Sequence, residues 1–221
     1  MFAPHPVTPP RRNPLTPRKI PQQSRAEHTV AAILEAVACV LETRGMAGLN
    51  TNRVAARAGV SIGSLYQYFP GKDALIVALC QRERAAFLAE ASAALQAPTG
   101  QAAWRRLITA SVHQQLRRPA LTRLLDFEET RPAVARELAP FRAGMGALIG
   151  QLLARGDIPP PRDMALATGD LMAIVRGLVN AAGERGDVDA GALDAIDAID
   201  DLERRIGRAV FGYLGLVVTA S

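Results

Sequence analysis

Apolar residues recur along this chain at spacings of three and four, and no segment sustains the period-two alternation of a half-buried strand. The pattern predicts helices throughout. Ser24-Arg25-Ala26-Glu27 has the spacing of a capping box, and the apolar stripe Val30, Ile33, Leu34, Val37 and Leu41 follows it until Gly45 ends the helix. Two short helices come next. Asn50 and Thr51 offer side-chain acceptors just ahead of Val54 and Ala55, Gly59 stops that helix, and Ser61 caps a second one running to Phe69. Leu65 and Phe69 fall on one side of the second helix, to pack with Val54, Ala55 and Val60, while Gly63, Ser64, Gln67 and Tyr68 point the other way.

A long helix is then expected from Lys72 to Gln96, broken by Pro98-Thr99-Gly100, followed by helices over Gln101 to Leu116 and Pro119 to Glu129. Pro140 must kink or divide the next segment, Pro132 to Arg155. Gly156 and three prolines at 159 to 161 form a linker, and two helices, Asp163 to Ala182 and Gly191 to Leu214, close the chain. In the last, Leu193, Ile196, Ile199, Leu202, Ile206, Val210 and Leu214 form an apolar seam on a face otherwise lined by Asp and Arg.

Composition agrees with an all-α fold. Hydrophobic residues make up 49% of the 221 positions but aromatics only 5%, which suits helices better than the aromatic, β-branched make-up of sheets. Charge is placed unevenly. Residues 1 to 72 carry nine Lys or Arg against three Glu, whereas residues 73 to 221 carry 17 against 18. A basic end fits attraction to nucleic acid, and a basic tail alone accounts for the same figure. Residues 1–23 hold seven prolines, four basic residues and no acidic one, so they are expected to be a disordered tail, or an arm that adds phosphate or minor-groove contacts.

Catalysis finds little support in the inventory. The three histidines, His5, His28 and His113, show no metal spacing, and there is no Gly-rich phosphate loop or GxSxG elbow, so no cofactor or metal is expected. Cys39 and Cys80 have neither zinc spacing nor a secretory signal nearby, which fits packed thiols in a reducing cytoplasm, with a redox-sensing pair as the alternative. The longest run free of charged residues is 14, too short to span a membrane.

The two short helices form a helix-turn-helix whose second helix suits the major groove. The stretch closely resembles the helix-turn-helix of the TetR (tetracycline repressor) family of transcriptional regulators. Thr51, Val54, Ala55, the run Ala58-Gly59-Val60-Ser61, Gly63, Leu65-Tyr66, Tyr68-Phe69, Lys72 and Leu75 carry the resemblance, which covers roughly residues 25 to 80. It implies a helix-turn-helix domain over residues 24–72 and a helical effector-binding and dimerisation domain over 73–221. It further implies a homodimeric, ligand-responsive regulator of double-stranded operator DNA, often a repressor. The alternatives are a helical protein-interaction adaptor without DNA binding and a small helical enzyme.

On this reading Gln67, Ser64, the Gly63 backbone and Ile62 read bases, because Ser61 to Phe69 contains no Arg or Lys for guanine. Ile62 also lies at the edge of the buried face. The resemblance adds Asn52 as a base contact, and Thr51, Tyr66, Tyr68 and Lys72 are expected at phosphates. For the tyrosines a place in the core is equally open. The resemblance also implies a cavity for a small-molecule effector, with Trp104, Leu107, Ile108, Ser111, His113, Phe127, Phe141, Met145, Met172 and Arg176 as candidate lining, each of which plain core packing explains as well. It implies finally that the seam from Leu193 to Leu214 pairs with its copy in a dimer, where an ordinary amphipathic helix in the chain's own core is the other reading.

Overall fold

In the computed structural model, residues 24–185 and 195–216 are described, and every regular element among them is a helix. The chain divides into two compact units, Met1–Leu79 and Cys80–Ser221. The division falls inside one helix, α4 (Lys72–Ser92).

The first unit is built from α1 (Ser24–Gly48), α2 (Thr51–Ala58), α3 (Ile62–Tyr68) and the start of α4. Its helix ends follow local chemistry. Gly45 breaks α1 at φ 60°, a left-handed conformation that a side chain disfavours. The Asn50 side chain caps α2 by accepting from the Arg53 amide at 2.8 Å, and Gly59 closes it at φ 67°. Ser61 caps α3, its hydroxyl accepting from the Ser64 amide at 3.0 Å. The predicted apolar faces meet in the interior: Ile33, Leu34, Val37 and Leu41 of α1 are buried, as are Val54 and Ala55 of α2, then Leu65 and Phe69. Burying each large side chain contributes about 1.5 to 3 kcal/mol.

The second unit is arranged about α5 (Gly100–Arg117), which packs on α6 (Pro119–Glu128), α8 (Ala139–Leu153), α9 (Met164–Arg185) and α10 (Ala195–Tyr213). Thr99 caps α5 from the break after the 3-10 turn Ala93–Gln96. Pro140 divides its segment as expected: α7 (Pro132–Glu137) ends at Leu138, at φ −94° and ψ 5°, and α8 starts at once. The core joins Trp104, Leu107 and Ile108 of α5 to Met145 and Ile149 of α8 and Leu171 of α9.

The seam of α10 belongs to that same core, which corrects the expectation that it pairs with a partner copy. Leu202, Ile206, Val210 and Leu214 are buried within the chain and Ile199 packs half-buried against them, covered by α5 and α9. Helical periodicity reports that a face is covered without saying by what, and here α5 supplies the cover. Leu193 and the side chain of Ile196 lie outside the described residues, as does the 1–23 tail.

Candidate nucleic-acid interface and internal cavity

Because α3 is anchored through Leu65 and Phe69, its other side is presented outward. Ile62 (39% exposed), Gly63 and Gln67 are exposed, and Ser64 is half-buried with its hydroxyl 2.9 Å from that of Ser61. Gly63 is there for no internal reason: a Cβ would meet only the Ser61 Oγ, at 3.8 Å, and its φ is not positive. A helical glycine costs about 1 kcal/mol relative to alanine, so an absent side chain at this exposed point suits close approach of something outside the chain. Asn52 is exposed in the first turn of α2.

The hydroxyls of Thr51 and Tyr66 lie 3.1 Å apart, joining the start of α2 to the middle of α3, and Tyr66 is 40% exposed. The exposed Lys72 donates from Nζ to the carbonyl of Met46 at 2.9 Å. Tyr68 is turned inward instead, at 8% exposure, against the expectation that it faces outward. The reason is angular: three residues after Leu65 is about 300° of rotation, so Tyr68 sits about 60° from Leu65 and next to Phe69. Arg53, which sequence reasoning left aside, donates to the carbonyl of Gly48 from the exposed side of α2.

The second unit holds a cavity of about 380 Å³, partly open to solvent, between α4, α5, α6, α8 and α9. Of the expected lining residues, Trp104, Leu107, Ser111, Phe141, Met145, Met172 and Arg176 do line it. Three do not. Ile108 is buried in the core away from it, His113 is on the exposed side of α5, and Phe127 is 69% exposed on α6. An enzyme reading that rests on His113 therefore lacks its pocket.

Sequence reasoning missed the polar end of the cavity. There Arg84 donates from Nε to Glu129 at 2.6 Å and from Nη2 to Asp126, with all three side chains at least 84% buried. Burial works to lower the pKa of Arg84, but Glu129 and then Asp126 outweigh it and the net shift is upward, so the guanidinium stays charged. Its plane lies over the ring of Phe141, 5.9 Å from the centroid, and Phe87 packs beside that ring at 6.3 Å. Burial, and after it the charge of Glu129, pushes the Cys80 thiol up to about 12. Cys39 and Cys80 are both free thiols.

Residues 33–79 match the family model for bacterial regulatory proteins of the tetR family. No curated protein matches the chain in sequence. Among solved structures, it resembles a TetR-family transcriptional regulator from Streptomyces coelicolor at 25% identity and TM-score 0.59, over 85% of this chain and 98% of that one. It resembles a tetR-family regulatory protein from Rhodococcus RHA1 at 18% identity and TM-score 0.65, over 86% and 98%. The fatty acid degradation regulator FadR from Bacillus halodurans is similar at 16% identity and TM-score 0.67, over 81% and 94%. These likenesses extend the fold beyond the matched N-terminal domain to both units.

Proposed function

We propose that this chain, whose DNA-binding domain belongs to the TetR family of bacterial regulatory proteins, acts as a homodimeric transcriptional regulator that a small molecule releases from a near-palindromic operator. The observation that carries this reading is the outward face of α3: exposed, uncharged, and holding in Gln67 an amide that engages no other described residue. An amide reads adenine by paired hydrogen bonds, Ile62 meets a thymine methyl, and Gly63 lets the backbone come close. Asn52 adds a contact from α2. Around them, Thr51, Tyr66 and Lys72 supply hydroxyl and ammonium donors to phosphates, which position the helix without reading sequence.

A second copy fits the outer side of α9. Met164 and Leu166 are exposed there with Gly169, Ala173 and Gly177, and by length and composition alone the helix is apolar enough to cross a membrane. Asp170 and Arg176 interrupt it, and an exposed apolar face of this kind is better matched to a protein interface. Two copies would set their recognition helices about 34 to 36 Å apart, one DNA turn. The cavity supports the effector role, since a ligand favouring one of two forms shifts the DNA-binding equilibrium by its difference in affinity. Selection of bound sequences from random DNA tests the proposal. The expected result is an inverted repeat; failure to enrich any sequence favours the adaptor reading.

A further inference from the structure

We propose that the cavity of the second unit takes an elongated amphiphile bearing a protonated amine, its head seated among Asp126, Glu129 and Gln114 and its apolar body directed toward Trp104. This rests on the cavity being the effector site and narrows that site to a ligand class.

The charge count at the polar end favours a cation. One guanidinium, that of Arg84, is already engaged by two carboxylates, which leaves a surplus negative charge in a mostly buried cluster. One cation shared between two largely buried carboxylates leaves the cluster net negative, and a second cation offsets that charge. The neighbouring Glu128 has its own cation in Arg131, at 2.7 Å. The other cations on the lining, Arg142 and Arg176, are exposed to solvent, and Arg142 is turned to the carbonyl of Ala135. The raised pKa of the nearby Cys80 thiol, due to burial and then to Glu129, fits the same surplus.

A second observation is independent of charge. Gln114 lines the cavity at 7% exposure, and its Oε1 is buried with no hydrogen-bond partner. An unmet acceptor costs about 1 to 3 kcal/mol and is relieved only by a donor. A protonated amine brings both the charge and the N–H groups. At this end of the cavity an alcohol would satisfy Gln114 and leave the charge, whereas a carboxylate would add a third negative group. The unmet donor on the lining, Trp104 Nε1, stands at the other end.

The body follows from the rest of the lining. Trp104 stands ten residues before Gln114 on α5, about 15 Å along the helix axis, and Leu107, Met145, Ile149 and Leu171 are the apolar walls. A volume of about 380 Å³ suits a slender molecule of drug size.

Trp104 is the single tryptophan of the chain, so its fluorescence reports occupancy directly. Titration of the full chain with decylamine, 1-decanol and decanoate, at pH 7 and one ionic strength, separates charge from chain length. Decylamine is expected to bind at least about tenfold more tightly than either other probe, as one charged hydrogen bond provides. Glu129→Gln should narrow that gap while 1-decanol binding holds, and Gln114→Leu should weaken decylamine and 1-decanol alike, with a thermal melt confirming that each variant is folded. Equal or tighter binding of decanoate or 1-decanol overturns the amine assignment and leaves the effector cavity standing. An unchanged gap in folded Glu129→Gln, with decylamine binding intact in folded Gln114→Leu, overturns the seat assigned to the head. No fluorescence response to any probe removes the cavity as a ligand site, and this proposal with it.

Discussion

The ammonium of Lys72 and the carbonyl of Met46 lie 2.9 Å apart, tying the first turn of α4 to the end of α1. A cation is disfavoured at the start of a helix and favoured near the carbonyls that end one, so the bond gives Lys72 a structural role of its own. An ammonium has three donors, and one spent on Met46 leaves two for a phosphate. Lys72→Ala should therefore do two things. It lowers the slope of log affinity against log salt by about one unit on every DNA sequence, and it destabilises the domain by about 0.5 to 1.5 kcal/mol. Binding at several salt concentrations and urea unfolding read the two separately; loss of stability with an unchanged slope would assign Lys72 to the clasp alone.

Gly63 offers the opposite pairing of effects. Gly63→Ala should raise stability by about 0.5 to 1 kcal/mol, since nothing within the chain opposes a methyl there, and should weaken operator binding. Unfolding and binding measured on the same variant decide it, and a more stable protein with full affinity would show that DNA does not approach this point.

Gln67 is expected to read a base. Gln67→Ala should cost about 1 to 3 kcal/mol on the preferred operator and relax preference at one position of each half-site, with nonspecific binding nearly intact. The measurement is a series of operators changed one base pair at a time at fixed salt. Equal losses on all of them, nonspecific DNA included, would place Gln67 outside base reading.

The interface between copies is expected on α9 and not on the α10 seam. Leu166→Glu with Gly177→Glu should give folded monomers, because Leu166 is 61% exposed and a Cβ at Gly177 meets nothing within 4 Å. Ile206→Asp should instead unfold the second unit, since it buries an unpaired carboxylate at a fully enclosed position. Sedimentation and circular dichroism distinguish the outcomes; a dimer that survives both α9 charges would move the interface elsewhere.

Cys80 sets an alkaline limit on stability. Its thiol is pushed from 9.0 up to about 12 by burial and then by Glu129, so between these values the unfolded chain has released a proton that the folded chain still holds. Stability must fall as pH rises from 9 toward 12, with no contribution from this group below 9. The unfolding free energy of wild type minus that of Cys80→Ala, followed from pH 8 to 11, should be flat and then decline; a flat difference throughout would mean that the thiol ionises as freely folded as unfolded.

The helix-turn-helix was legible in the sequence because its determinants are local. Asn50, Gly59 and Ser61 act within four residues of themselves, and each does in space what its spacing implies. Tyr68 was misread by grouping it with Gln67, when its three-residue step from Leu65 turns it inward. The α10 seam was legible as an apolar face, but its cover comes from α9 and from α5, the latter far off in the chain. The cluster at Arg84 left no signal at all: Asp126 and Glu129 stand 42 and 45 residues away, and nothing in the charged run Arg82-Glu83-Arg84 distinguishes the residue that turns inward.

Helix α3 is held by Leu65, Tyr68 and Phe69, while the side proposed to meet the groove is Ile62, Gly63, Ser64 and Gln67, without a single charge among them. On that proposal, anchoring and reading are written on separate letters of one eight-residue word, Ile62 to Phe69. Respelling the reading letters would, on the same proposal, turn the protein to a new operator while the scaffold and its grip on the phosphate backbone stay as they were.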